Sequence, residues 1–199
     1  MFDEAAFAAH IEAIRAIARR RGGAVTLNLP PPAPASEVEL CQAFFDLPLP
    51  PSLTSLWRQH AGFSLRLYGA DDPPEEDIAT YQFDVRGPSD VLQHSKELRH
   101  YFAGMYESGV LQYNEQRARR YADIVDFGDA DRIAFAELSR RDTATGESPI
   151  LEANVYEAWP TDDAPPLAAS TAELIERCLH FMIQTEGGFR YWMEPYYDW

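Results

Sequence analysis

Residues 47–62 read L-P-L-P-P-S-L-T-S-L-W-R-Q-H-A-G, and the fold can be worked outward from them. The prolines stop any helix that precedes them. Pro51 then suits the first turn of a new helix, where its fixed φ helps and its missing N–H is not needed. Leu53, Leu56, Trp57 and His60 stand at i, i+3, i+4 and i+7, one face of that helix. Gly62 offers the left-handed residue that ends it. A short helix that buries Leu and Trp is expected here, with sheet after it.

Upstream, Ser36-Glu37-Val38-Glu39 has the spacing of a capping box. The helix it opens would turn Val38, Cys41, Phe44 and Phe45 inward until Leu47-Pro48 halts it. A still earlier helix over residues 3–20 carries the apolar stripe Phe7, Ile11, Ile14 and Ala18. Its acids come early and Arg19, Arg20 and Arg21 come late, which suits the helix dipole. A-V-T-L-N-L at 24–29 alternates like a short strand, and P-P-P-A-P at 30–34 is a stiff extended spacer.

Downstream, F-S-L-R-L-Y-G (63–69) and T-Y-Q-F-D-V (80–85) alternate with period two and read as strands. An acidic, proline-bearing loop, D-D-P-P-E-E-D, lies between them. Gly87-Pro88-Ser89 opens a helix with Val91, Leu92, Leu98, Tyr101 and Phe102 on or near one face. Residues 104–120 carry only a weak helical pattern. Strands are expected at 121–127 and 132–138, flanking the turn G-D-A-D, and at 152–159, after a turn at 143–148. Ser170-Thr171-Ala172-Glu173 is a second capping box, and its helix places Leu174, Cys178, Phe181 and Met182 inward before Gly187-Gly188. Helices and strands do not alternate as βαβ units, so the expected class is α+β, a mainly antiparallel sheet of about five to six strands with helices packed against it. The expected organisation is an N-terminal appendage (1–35), a main α+β domain (36–186) and an aromatic tail packed on it (187–199).

A chain of 199 residues suits one domain with a real core, and 46% hydrophobic with 13% aromatic residues argues against disorder. Thirty-two acids against 17 Lys and Arg give a net charge of −15. That argues against free nucleic acid and anionic membrane as ligands, since both are bound through basic groups. A basic protein partner fits, as does a generic soluble acidic protein. The start M-F-D-E-A-A-F lacks the pattern of a signal peptide and no apolar run approaches a membrane span, so a cytoplasmic protein is expected.

The helix–proline–helix opening with its turn into sheet resembles the SUKH superfamily. Further pieces follow in the same order: Y-Q-F-D-V-R-G-P-S-D-V-L, F-G-D-A-D-R-I-A-F, N-V-Y-E-A-W and S-T-A-E-L-I-E-R-C-L-H-F-M. The resemblance spans residues 36–186. It departs at His60-Ala61-Gly62, where the family commonly has an Asn-Gly turn, and at Ala172 and Leu174, where it commonly shows an S-F pair. The first helix, residues 104–120 and the aromatic tail have no clear counterpart in it. The resemblance implies an α+β fold that works by binding proteins, as in bacterial immunity proteins that neutralise toxins and fungal regulators of cell-wall assembly. It supplies no catalytic residues.

On a helix over 89–103, His94, Glu97 and His100 would stand at successive i+3 steps, as metal ligands can, but Lys96 and Arg99 beside them read as a solvated face. Asp126, Asp129 and Asp131 around Gly128 fit turn chemistry better than a calcium loop. Cys178 and His180, two apart, point in different directions on a helix, and both Cys41 and Cys178 fit core packing. No catalytic group, metal or cofactor is therefore expected, and the protein is not expected to be an enzyme. The candidate partner-binding residues are Asp71, Asp72, Glu75, Glu76 and Asp77 with Asp162 and Asp163, which would steer a basic partner or else form solvated loops. Tyr191, Trp192, Tyr196, Tyr197 and Trp199 would either cover one side of the sheet or expose a binding surface. The leading expectation is an immunity-type protein covering the working surface of a basic, nuclease-type toxin. The alternatives are a regulatory or scaffolding module of the same fold, and an enzyme using the His94 face or Cys178.

Overall fold

Among the described residues six strands form one sheet in sequence order, β1-β2-β3-β4-β5-β6, with every neighbouring pair antiparallel. The computed structural model describes residues 2–69, 81–107, 119–128, 132–154 and 164–184. Within them the order is α1 (Glu4–Arg20), β1 (Ala24–Asn28), α2 (Ala35–Phe44), α3 (Pro51–Trp57), β2 (Phe63–Tyr68) and β3 (Tyr81–Val85). Then come α4 (Pro88–Glu107), β4 (Tyr121–Asp126), β5 (Arg132–Glu137), β6 (Ile150–Asn154) and α5 (Thr171–Gln184). The class is α+β, as the element order implied.

Register explains which face is buried. Phe63 pairs with Val85, Leu65 with Phe83 and Leu67 with Tyr81, so β2 and β3 present one apolar face. That face forms a single core with Phe7, Ile11 and Ile14 of α1, Leu53, Leu56 and Trp57 of α3, and Leu174, Cys178 and Met182 of α5. The alternate residues pair Ser64 with Asp84 and Arg66 with Gln82, a polar face. Further along the sheet this second face turns apolar, where the rings of Tyr121 and Phe135 pack as a tilted pair with centroids 4.5 Å apart. The β4–β5 register shifts between Asp123 and Val125, and the Asp123 N–H at this bulge donates to Ser95 Oγ of α4 (3.3 Å).

The N-terminal segment shares this core. Strand β1 runs along β2 from Ala24 opposite Tyr68 to Asn28 opposite Ser64, and α1 packs against α5. The proline spacer is tied down as well: Ala33 N–H donates to Trp57 O (2.8 Å) and Ala61 N–H to Pro31 O (2.9 Å).

Pro51 stands at the first position of α3, as its fixed φ favours. The helix is shorter than the apolar spacing suggested. It ends at Trp57, so His60 lies beyond it, with Nδ1 3.2 Å from Pro30 O. Gly62 is required for another reason than ending the helix. Its φ is +89°, and a Cβ there would sit 2.3 Å from Val85 O, so only glycine lets the chain turn into β2 beside the end of β3. The start of α3 has no local side-chain cap. Glu147 supplies one from the β5–β6 connection, accepting from Ser52 N–H (2.8 Å) and Ser52 Oγ (2.7 Å) and placing negative charge at the positive helix end.

The first expected capping box does not form. Pro34, already extended with φ −55° and ψ 137°, is the residue before α2, so Ser36 falls inside the first turn and makes no cap. The second one does form in modified shape: Ser170 Oγ accepts from Glu173 N–H (3.1 Å), and Glu173 accepts from Ala169 N–H (2.7 Å) rather than from Ser170. Helix α4 continues past Gly104 to Glu107, longer than residues 89–103 alone implied. Strand β6 begins at Ile150, two residues before the expected start. Residues 155–159, 187–199 and most of the weakly patterned 104–120 segment lie outside the described residues.

Candidate functional site

A group of charged side chains meets where β3 passes into α4 alongside β4. Arg86 follows β3 directly, and Trp57 Nε1–H donates to its carbonyl (2.9 Å). Its N–H donates to Ile124 O (2.9 Å) at the β4 bulge, so the backbone is fixed on both sides. The guanidinium is thereby aimed at two carboxylates, Asp123 Oδ1 (3.2 Å) and Asp126 Oδ2 (3.3 Å). The Arg86 and Asp123 side chains are 11% and 5% exposed and Asp126 is 33% exposed, so water screens the second contact more than the first. Burial pushes the Asp123 carboxyl above its ordinary range, and the Arg86 charge opposes that shift.

A third carboxylate joins across the β3–β4 seam, where Asp84 pairs directly with Asp126. Like charges directly opposite one another on neighbouring strands repel. Burial raises the Asp84 carboxyl, Ser64 and Gln82 beside it oppose the rise, and Asp126 adds to it. Gln82 Nε2 donates to Asp84 Oδ2 at 2.5 Å. Three acids thus lie along this seam, Asp123 and Asp126 against the half-buried Arg86 and Asp84 with the charge of Arg66 opposing its rise. The arrangement holds the start of α4 against the β4 bulge. Among the described residues no group of three His, Cys, Asp or Glu side chains is placed to hold a metal ion. Sequence reasoning missed this network; the outward Asp84 of the alternating strand and Arg86 just after it were the only local signals.

The histidine face of α4 is a surface feature. His94 Nδ1 lies 3.7 Å from Glu97 Oε2, their side chains 41% and 59% exposed, and Glu97 also accepts from Gln93 (2.6 Å). Nearby, Arg99 stacks its guanidinium 3.7 Å from the Phe44 ring centroid, joining α4 to α2. Cys41 and Cys178 are both buried and in no disulfide. Burial alone pushes the Cys41 thiol up to about 12. A thiol so far from ionising is a poor nucleophile. We expect neither cysteine to react with a disulfide reagent in the native protein at pH 8, and both to titrate in denaturant. Rapid reaction of Cys178 in the folded state would restore a thiol chemistry to consideration.

The candidate partner-binding acids Asp71, Asp72, Glu75, Glu76, Asp77, Asp162 and Asp163 lie outside the described residues, as does the aromatic tail. No family model and no curated protein matches this chain. No helix among the described residues is long and apolar enough to cross a membrane.

Proposed function

We propose that this is a protein-binding module of the immunity type, which neutralises a basic, nuclease-type bacterial toxin by covering its working surface. The observation that carries the reading is the charge of −15 on a chain whose described residues build a well-packed core. Carboxylates stand exposed on four helices, among them Glu12 on α1, Glu39 on α2, Asp90 and Glu97 on α4, and Glu176 on α5. A field of one sign raises the encounter rate with a partner of the opposite sign and suppresses wrong partners. The ordered resemblance to the SUKH superfamily supports the same reading, and a cytoplasmic location is part of the proposal.

The test is growth rescue with the product of a neighbouring coding sequence. Co-expression of this chain is expected to restore growth of cells that make the toxin. Association of the purified pair is expected to slow by on the order of tenfold between low and physiological salt. Recovery of a constitutive partner and no toxin would instead support the second reading, a regulatory or scaffolding module, and would overturn the first.

A further inference from the structure

Helices α1 and α5 enclose a cleft of about 160 Å³ that the ion network does not touch. Its floor is apolar: Phe2, Phe7, Ile175 and Leu179 are each buried. Phe2 and Phe7 pack as a tilted pair with ring centroids 5.3 Å apart. Its rim carries acids from both helices, Asp3 on the α1 side and Glu176 on the α5 side, both exposed, with Ala6, Ala172 and the half-buried His10 completing the lining. Asp3 Oδ1 is committed to Ala6 N–H at 3.0 Å, while Glu176 stands on a solvent-facing position of α5.

Size narrows the occupant. Pockets for cofactors or drug-sized ligands run to several hundred Å³, whereas a cavity of about 150 Å³ holds one benzene ring. A space of this order takes a single side chain. Apolar walls with aromatic rings below and carboxylates above favour a long aliphatic stem that ends in a weakly hydrated cation. Arginine meets that description better than lysine, whose ammonium is more strongly hydrated and does not stack. The groove between α2 and α3 makes a useful contrast, since it carries Glu39 and Arg58 together and so has no bias of charge.

We infer that the α1–α5 cleft is the pocket for an anchoring arginine of a basic protein partner. Its stem lies against Phe2, Phe7, Ile175 and Leu179, and its guanidinium sits between Asp3 and Glu176. This rests on the protein-binding reading above and assigns it a surface. A buried arginine in a desolvated pocket is the kind of residue that dominates interface affinity.

The probe is n-butylguanidinium, followed by amide shifts of the isotope-labelled full chain, with n-butylurea as the neutral isostere. Expected are saturable shifts at Ala6, His10, Ala172 and Glu176, with a dissociation constant on the order of millimolar, as befits so small a ligand, and none of this with the urea. Glu176→Gln should weaken binding several-fold. Ala6→Phe, at an exposed helical position, should fill the cleft and abolish it, with circular dichroism confirming the fold. The same variants then enter the growth-rescue assay, where Ala6→Phe and Glu176→Lys should each lose protection. Absence of saturable shifts at the cleft, or full protection by both variants, overturns the assignment and leaves the broader reading standing. Failure of the wild-type chain to protect is a separate result, and it overturns that reading whatever the probe does.

Discussion

Replacing Arg86 with Met should cost about 3–5 kcal/mol at pH 7, the range for breaking a buried ion pair by removing one partner. Methionine keeps the stem and deletes the charge, which leaves Asp123, 5% exposed, with no cation against it from Arg86. The loss should depend on pH, and the sign follows from the direction of the shifts. Asp123 and Asp84 both have carboxyls raised in the folded protein. Each therefore binds its proton more tightly folded than unfolded. The stability each contributes is fully present below its unfolded value and is lost as pH rises through its raised one. Without Arg86 the Asp123 carboxyl climbs further. The variant's deficit should then be largest at neutral pH and shrink at pH 5, as the carboxyl takes up its proton. Denaturant unfolding of both proteins at the two pH values measures this. Adding Asp123→Asn to the variant should recover part of the loss, since a neutral amide needs no counter-charge. A deficit that is the same at both pH values would mean the guanidinium acts only through packing.

The fate of the sequence-based expectations follows from how local each signal was. Strands β2 and β3 were legible because their alternation is a property of consecutive residues and the buried face is one periodic set, Phe63, Leu65, Leu67, then Tyr81, Phe83, Val85. The Ser170–Glu173 cap was legible for the same reason. The cap on α3 was not, because Glu147 comes from 95 residues away and no spacing records it. Nor could sequence distinguish Gly62 as a helix terminator from Gly62 as the residue that lets β2 start beside Val85 O, since both ask for glycine. Ser36 failed as a cap because a neighbouring proline already had the backbone conformation that position needs. The site shows the same division. Asp84 and Arg86 could be placed on and beside a strand, but their meeting with Asp123 and Asp126 depends on β3–β4 register and on a bulge, both set by tertiary packing. The α1–α5 cleft is likewise a product of two helices far apart in sequence, and α1 was not read as part of the main domain at all.

Trp57 joins these pieces, and its removal should be the most damaging single truncation in the chain. The ring is fully buried among the largest side chains of the core, so Trp57→Ala loses both its transfer free energy and the contacts around the cavity it leaves. That is about 3–5 kcal/mol. The indole N–H also donates to the Arg86 carbonyl at 2.9 Å, and losing this part-buried hydrogen bond adds about 1 kcal/mol. Trp57→Phe separates the two effects, since it keeps most of the volume and deletes only the donor. We expect Trp57→Ala to lower Tm by on the order of 10 °C and Trp57→Phe by a few degrees, at about 2–4 °C per kcal/mol for a chain of this size. Because the indole fixes the backbone from which the Arg86 guanidinium is aimed, the losses from Trp57→Phe and Arg86→Met should not add. Residues that share one network typically show coupling of about 0.5–3 kcal/mol. A double variant whose loss equals the sum of the singles within error would show that α3 and the ion network are energetically independent. Sub-additive loss would establish that the helix opened by Pro51 also holds the charged seam of the sheet in register.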